Sequence, residues 1–174
     1  VLGAGFMGSG IAQVAAEAGL FVNLRDIEDR LVQNGLKAIE KNFERSIQKG
    51  KMTAEQSRGI LGRIQGTVDL PKAVEGVDIV IEAVVENMEL KKQVYQELDR
   101  LCTPETILAS NTSGLSITEM ASVTRRSDKV VGMHFFNPVP VMKLVEVIRG
   151  LATSNETYAT VKELSEKIDK VPVE

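Results

Sequence analysis

The 174-residue sequence predicts an α/β fold with a doubly wound, mainly parallel sheet. Short apolar segments typical of buried strands alternate with longer segments whose apolar residues recur at helical spacing. A glycine-rich segment follows the first apolar segment directly and begins the first helix. We expect one domain, residues 1–174, because a chain of this length can enclose a sizeable core.

The composition argues against several classes of protein. The formal net charge is −3 and lysines are interspersed with glutamates, so no nucleic-acid partner is expected. No apolar run is long enough to cross a bilayer, so no membrane partner is expected either. The single cysteine, Cys102, cannot form an internal disulfide and is expected in the core of a cytoplasmic protein. We predict no metal site.

The first glycine cluster has the spacing G-x-G-x-x-G. Gly3 suits a tight turn, Gly5 lets the backbone approach a pyrophosphate, and Gly8 allows close packing of helix and strand. The helix that begins here, at Phe6 and Met7, offers N–H donors and the positive end of its dipole. The cluster therefore predicts a dinucleotide site in a Rossmann-type fold.

The second predicted strand, residues 20–24, leads directly to Asp26. An acid at this position can accept hydrogen bonds from both ribose hydroxyls of a dinucleotide. Because a carboxylate repels a 2′-phosphate, we expect NAD rather than NADP, and the neighbouring Arg25 makes that preference moderate.

A helical hairpin is predicted after the second strand, from residues 31–49 and 53–63. The second helix begins with a capping box in which Thr53 and Gln56 cap each other. The basic residues of the first helix lie on one face, which is either solvated or a surface for an acidic ligand such as a nucleotide phosphate. These residues are Lys37, Lys41, Arg45 and Lys49.

The same criteria predict the remaining elements. Strands are expected at residues 64–67, 78–85, 107–110, 129–134 and 144–148, and helices at residues 71–74, 89–101, 116–121 and 156–170. Residues 170–174 resemble the beginning of another strand, and the chain begins inside one, so we expect a fragment of a longer protein.

Polar residues follow two of the buried strands directly. Glu86 follows residues 78–85, and the small polar run 110–113 follows the next strand. Because the carboxyl ends of parallel strands border the ligand crevice, both groups are expected near substrate or cofactor. The run 110–113 is alternatively a helix cap.

Residues 133–148 contain the only histidine, His134, and an acid, Glu146, that interrupts an apolar strand. Pro138 and Pro140 stiffen the loop between them. A carboxylate paired with an imidazole sets its tautomer and frees the other ring nitrogen as a base. The alternatives are a structural histidine and a solvent-facing glutamate.

These motifs resemble the N-terminal domain of the 3-hydroxyacyl-CoA dehydrogenase family, particularly its bacterial 3-hydroxybutyryl-CoA branch. The resemblance extends over essentially the whole chain. It is carried by the segments G-A-G-F-M-G-S-G-I-A, I-E-A-V-V-E, A-S-N-T-S and H-F-F-N-P-V-P-V-M-K-L-V-E-V-I.

The resemblance implies roles for particular residues. It implies His134 as the catalytic base and Glu146 as its orienting partner. It implies Ser113 and Asn137 as hydrogen-bond donors to the substrate oxygen. These two residues are also expected to contact the cofactor. Further implied cofactor contacts are Glu86 and Lys91. Implied contacts with CoA are Lys49 and Asn42, the latter where some relatives have serine.

The family interconverts L-3-hydroxyacyl-CoA and 3-ketoacyl-CoA with NAD. The resemblance therefore implies this activity and an acyl-CoA substrate. In the family an all-helical C-terminal domain, absent from this chain, forms a dimer, so a homo-oligomer is expected. Two alternatives are a catalytically silent NAD-binding protein, such as a lens crystallin of this family, and a dehydrogenase of the hydroxyisobutyrate type. The His134–Glu146 pair and the H-F-F-N-P segment, respectively, disfavour them.

Overall fold

The computed structural model describes residues 1–174, which form seven strands and seven helices. The strands are β1 (Val22–Arg25), β2 (Ile64–Thr67), β3 (Ile79–Glu82), β4 (Ile107–Ser110), β5 (Val130–Phe135), β6 (Leu144–Arg149) and β7 (Val171–Val173). The helices are α1 (Phe6–Glu17), α2 (Asp29–Gln48), α3 (Ala54–Leu61), α4 (Leu70–Val74), α5 (Met88–Leu101), α6 (Ile117–Ala121) and α7 (Asn155–Lys167), with a 3-10 turn at Ser127–Lys129.

The strands form one sheet that consists of two parts. One part is the parallel pair β1–β2, and the other is the row β3, β4, β5, β6 and β7, in which each strand pairs with the next. Leu2 joins the two parts, because it bridges Arg25 on one side and Glu82 on the other, both in parallel. Every strand pair is parallel except β5–β6. The prediction of a mainly parallel sheet is confirmed.

Helices cover both faces of the sheet. One apolar cluster joins β3 and β4 to α4, α5 and α6, with Tyr95, Leu98 and Met120 fully buried. A second cluster packs α1 and α7 onto the other face, through Ile11 and Val161. The fold is therefore doubly wound, as the sequence predicts. Cys102 lies buried in the first cluster, as expected.

The predicted hairpin follows β1 as α2 and α3. The capping box is present, since Gln56 N–H donates to Thr53 Oγ1 at 3.1 Å and Thr53 N–H donates to Gln56 Oε1 at 2.8 Å. Phe43 of α2 is buried against α1, which attaches the hairpin to the core.

Most predicted boundaries agree with the structure to within two residues, but two C-terminal ends were wrong by three residues each. The strand predicted at 78–85 ends at Glu82, because the Glu82 side chain accepts the Val84 N–H and the chain turns out of the sheet. The helix predicted at 156–170 ends at Lys167, because Asp169 has a φ of 62°. The Lys170 ammonium is then buried and donates to the carbonyls of Val139 and Met142.

Candidate active site

A cleft of about 360 Å³ lies at the carboxyl ends of the central strands. It collects residues from the loop into α1, from the segments after β3 and β4, and from the end of β5. Its lining residues are Met7, Ala83, Val84, Glu86, Asn111, Ser113, His134, Phe135, Phe136 and Asn137. Parallel strands place their following segments at one edge, which is why residues distant in sequence meet here.

His134 and Glu146 form a hydrogen-bonded pair at this cleft. They are register partners on β5 and β6, and the distance from His134 Nδ1 to Glu146 Oε2 is 2.8 Å. Val145 and Val147 point into the core, so Glu146 lies on the opposite face of β6. Its side chain is 46% exposed, whereas that of His134 is 17% exposed. The carboxylate is therefore hydrated while the imidazole is largely enclosed.

The pair determines which histidine nitrogen remains free. If the Nδ1–H donates to the carboxylate, Nε2 is left as the acceptor. The Phe136 ring lies 4.7 Å from the imidazole, centroid to centroid, and restricts its rotation. This arrangement can supply a general base.

Ser113 and Asn137 line the cleft together with His134. Asn111 belongs to the polar run 110–113 predicted near the site, but the sequence assigned it no individual role; its Oδ1 accepts the Phe135 N–H at 2.8 Å. This bond joins the end of β4 to the end of β5 beside the histidine. The available signal was its place in the polar run after β4.

The glycine loop has the geometry that a dinucleotide needs. Gly3 has a φ of 94°. A Cβ at Gly8 would lie 1.8 Å from the Gly3 carbonyl oxygen, whereas a Cβ at Gly5 would meet nothing within 4 Å. Gly5 therefore leaves open space at the N-terminus of α1, next to the exposed Phe6. These residues fit a pyrophosphate at the helix N-terminus.

Asp26 lies at the end of β1, beside this loop. Its carboxylate accepts the N–H groups of Ala4 and Ile27, each at 2.7 Å. Each carboxylate oxygen can accept a further hydrogen bond, so both can still bind ribose hydroxyls. Arg25 donates its Nε–H to the Val68 carbonyl at 3.1 Å.

Glu86 lies at the cleft and Lys91 lies behind it. Partial desolvation works to raise the pKa of Glu86, but the Thr112 hydroxyl and the Lys91 ammonium outweigh it and lower that pKa below 4.5. The Lys91 side chain is only 1% exposed and contacts both Glu86 and the fully buried Glu82. A direct contact between Lys91 and a cofactor stays a prediction.

The two residues predicted to contact CoA lie on or next to α2, outside the cleft lining. Lys49 is exposed at the end of the helix. Asn42 donates its side-chain N–H to Gln13 Oε1 at 2.8 Å. Their contact with CoA remains a prediction.

Two further observations concern metals and membranes. No three side chains among His, Cys, Asp and Glu lie close enough together to hold a metal ion. None of the helices combines the length and apolar character needed to cross a bilayer.

The fold and the site together define a dinucleotide-binding domain that carries a hydrogen-bonded histidine–glutamate pair at its cleft. Residues 1–174 match the family described as "3-hydroxyacyl-CoA dehydrogenase, NAD binding domain". The chain belongs to this family, which confirms the resemblance seen in the sequence and the assignment of NAD as its cofactor.

Individual relatives agree with this assignment. The chain is 54% identical to a probable 3-hydroxybutyryl-CoA dehydrogenase of Bacillus subtilis, over all of this chain and 60% of the relative. It is 49% identical to 3-hydroxybutyryl-CoA dehydrogenase of Clostridioides difficile, over all of this chain and 62% of the relative. The crystal structure of (S)-3-hydroxybutyryl-CoA dehydrogenase from Ralstonia eutropha superposes with a TM-score of 0.96 at 46% identity, covering 99% of this chain and 60% of that one. The chain thus spans about three fifths of the length of these relatives.

Proposed function

We propose that the protein containing this domain interconverts L-3-hydroxyacyl-CoA and 3-ketoacyl-CoA, with NAD(H) as the hydride carrier. The observation that carries the proposal is the 2.8 Å contact between His134 and Glu146 at a cleft bordered by the glycine loop. The names of the relatives support 3-hydroxybutyryl-CoA and acetoacetyl-CoA as the substrate pair.

His134 is proposed as the general acid and base. In the oxidative direction, its Nε2 accepts the proton of the 3-hydroxyl group as the C3 hydride leaves. Glu146 stabilises the imidazolium that results, by the logic of the third member of a hydrolase triad. In the reductive direction, the imidazolium returns the proton to the developing alkoxide. Bound NAD⁺ supplies the acceptor for the hydride.

Ser113 and Asn137 are proposed to hydrogen-bond the substrate oxygen. Both line the cleft with His134, which supports this role. Such donors stabilise the negative charge that develops on the oxygen during hydride transfer.

We propose NAD(H) in preference to NADP(H) on the position of Asp26. Its carboxylate is held by two backbone N–H groups beside the glycine loop, where it can accept ribose hydroxyls and repel a 2′-phosphate.

We further propose a homo-oligomer that assembles through an all-helical C-terminal domain, and a cytoplasmic location. The first proposal rests on the family resemblance and on the length of the relatives, of which this chain covers about three fifths. The buried, unpaired Cys102 is consistent with a reducing compartment.

The direct test mixes the purified full-length protein with acetoacetyl-CoA and follows the oxidation of NADH, with NADPH in parallel. Rapid consumption of NADH is expected. Consumption of NADPH in preference would contradict the role of Asp26 and leave the dehydrogenase activity intact. An absence of turnover, with NADH still bound, would favour a silent NAD-binding protein.

A further inference from the structure

A buried carboxylate lies behind the cleft, outside its lining. Glu82, the last residue of β3, is 0% exposed. Its Oε1 accepts from Lys91 Nζ at 2.6 Å and from the Val84 N–H at 2.8 Å. Its Oε2 accepts from the buried Ser110 hydroxyl at 2.7 Å. Glu82 therefore joins the ends of β3 and β4 to α5.

Lys91 extends this network to the cleft. Its ammonium lies 3.3 Å from Glu86 Oε2 as well as 2.6 Å from Glu82 Oε1. The two carboxylates share one buried cation, which holds Glu86 in one orientation at the cleft wall.

Ser110 extends the network along the other wall. The Thr112 N–H donates to Ser110 Oγ at 3.3 Å, and the Thr112 hydroxyl donates to Glu86. Thr112 Oγ1 also accepts the N–H groups of Gly114 and Leu115, at 3.3 and 3.0 Å. These hydrogen bonds hold the backbone in place on both sides of Ser113.

Glu82 is hydrogen-bonded to the segments that follow β3 and β4, and these two segments form two walls of the cleft. Ala83, Val84 and Glu86 line one wall, and Asn111 and Ser113 line the other. Apolar side chains of similar volume can often replace a buried ion pair without loss of stability. Stability alone therefore does not explain why a charged group occupies this position.

We propose that Glu82 is a positioning residue that sets Glu86 through Lys91 and the Ser113 segment through Ser110. It acts on the nicotinamide end of the site without touching substrate or cofactor. The kinetic consequence rests on the function proposed above, whereas the consequence for NADH binding does not.

The test compares Glu82→Gln with Glu97→Gln in the full-length protein. Glu97 lies exposed on α5 and makes no ion pair. Glu97→Gln therefore makes the same chemical change at a residue that does not belong to the network. For Glu82→Gln we expect weaker NADH binding and a lower kcat, each by about 10- to 100-fold, because small misplacements of binding groups have effects of this size. The KM for acetoacetyl-CoA should change much less. Glu97→Gln should behave like the unaltered protein.

A double-mutant cycle separates positioning from a general loss of stability. If Glu82 acts on NADH through Glu86, then Glu82→Gln should affect the Kd of NADH less in a Glu86→Gln background than alone. If Glu82→Gln changes the Kd of NADH equally with Glu86 and with Gln at position 86, then Glu82 does not act through Glu86.

Other outcomes are equally decisive. If Glu82→Gln lowers the melting temperature but leaves kcat and the Kd of NADH unchanged, Glu82 is only a structural residue and the proposal is wrong. If this variant does not fold, Ser110→Ala removes one link of the network and is judged by the same criteria. If the unaltered protein binds NADH without reducing acetoacetyl-CoA, the proposed function fails, and the NADH cycle still decides the role of Glu82.

Discussion

His134 and Glu146 face each other across the one antiparallel strand pair of the sheet, with 2.8 Å between Nδ1 and Oε2. They lie twelve residues apart in sequence. The loop with Pro138 and Pro140 reverses the chain between them, so that β6 returns beside β5. A parallel neighbour would require a long crossover connection. The antiparallel pair therefore brings a base and its partner together within one short segment.

Replacing the histidine tests the general base. We expect His134→Gln to lower turnover of acetoacetyl-CoA by about 10²- to 10⁴-fold, as for other lost acid–base groups. Binding of NADH, measured by fluorescence titration, should be unchanged, because the glycine loop and Asp26 remain. Unchanged turnover would exclude His134 as the base.

Replacing the glutamate should have a smaller effect. Glu146→Gln keeps an acceptor for the Nδ1–H but cannot stabilise the charge of the imidazolium. Because the Glu146 side chain is 46% exposed, water screens part of that charge, and we expect a loss in kcat of about 10- to 100-fold. Steady-state kinetics of the two variants side by side provide the comparison. A loss larger than that of His134→Gln would contradict this ranking.

The open space at Gly5 allows a substitution that should weaken cofactor binding without affecting folding. Gly5 has a φ of −70°, and a Cβ there meets nothing within 4 Å, so Gly5→Ala should fold with normal stability. The added methyl group should hinder a pyrophosphate and weaken NADH binding roughly 10-fold or more. Titration with NADH and thermal unfolding test both parts.

The control is Gly59→Ala, in α3, where a Cβ also meets nothing within 4 Å. It should stabilise the helix by about 0.5–1 kcal/mol and leave NADH binding unaltered. If Gly5→Ala binds NADH as tightly as this control, the pyrophosphate does not lie at Gly5.

Removing the charge of Asp26 should change the choice of cofactor. Asp26→Asn loses a charged acceptor for the ribose hydroxyls, which should weaken NADH binding by about 10- to 100-fold. NADPH should be affected less, because repulsion of its 2′-phosphate is relieved. Parallel titrations with both cofactors measure the ratio of affinities. An unchanged ratio would show that Asp26 does not set the preference.

A buried ion pair outside the cleft lining should govern stability in acid. Burial works to raise the pKa of Asp99, but hydrogen bonds from Arg126 and Arg125 outweigh it and lower that pKa below 3.8. A lowered carboxyl pKa contributes stability that is present above pH 3.8 and is lost as the pH falls through the folded-state value.

Asp99→Asn should therefore lower the free energy of unfolding by about 3 kcal/mol at neutral pH, because it leaves buried Arg126 without its partner. The difference from the unaltered protein should shrink at a pH of about 3. Urea unfolding at both pH values tests this, with Glu97→Gln on the same helix as the control. An equal deficit at both pH values would contradict the role of the Asp99 charge.

Local patterns in the sequence were sufficient for the elements and for most of the cleft. The glycine spacing and Asp26 specify the start of a Rossmann unit, because a turn with positive φ, a helix N-terminus and a strand end are all local features. Similarly, the position of polar residues after apolar strands predicted that Glu86 and Ser113 lie at one edge of the sheet, and both line the cleft.

Only the tertiary structure decided which groups are buried and which atoms meet. In the sequence, Glu82 is one acid within the strand predicted at 78–85. It is buried because Lys91 and Ser110 reach it from elements nine and 28 residues away. Asn111 similarly contacts β5 only because β4 and β5 are neighbours. Burial of a charge depends on partners that are distant in sequence, so local composition determines the elements and their edges, and packing determines the network behind the site.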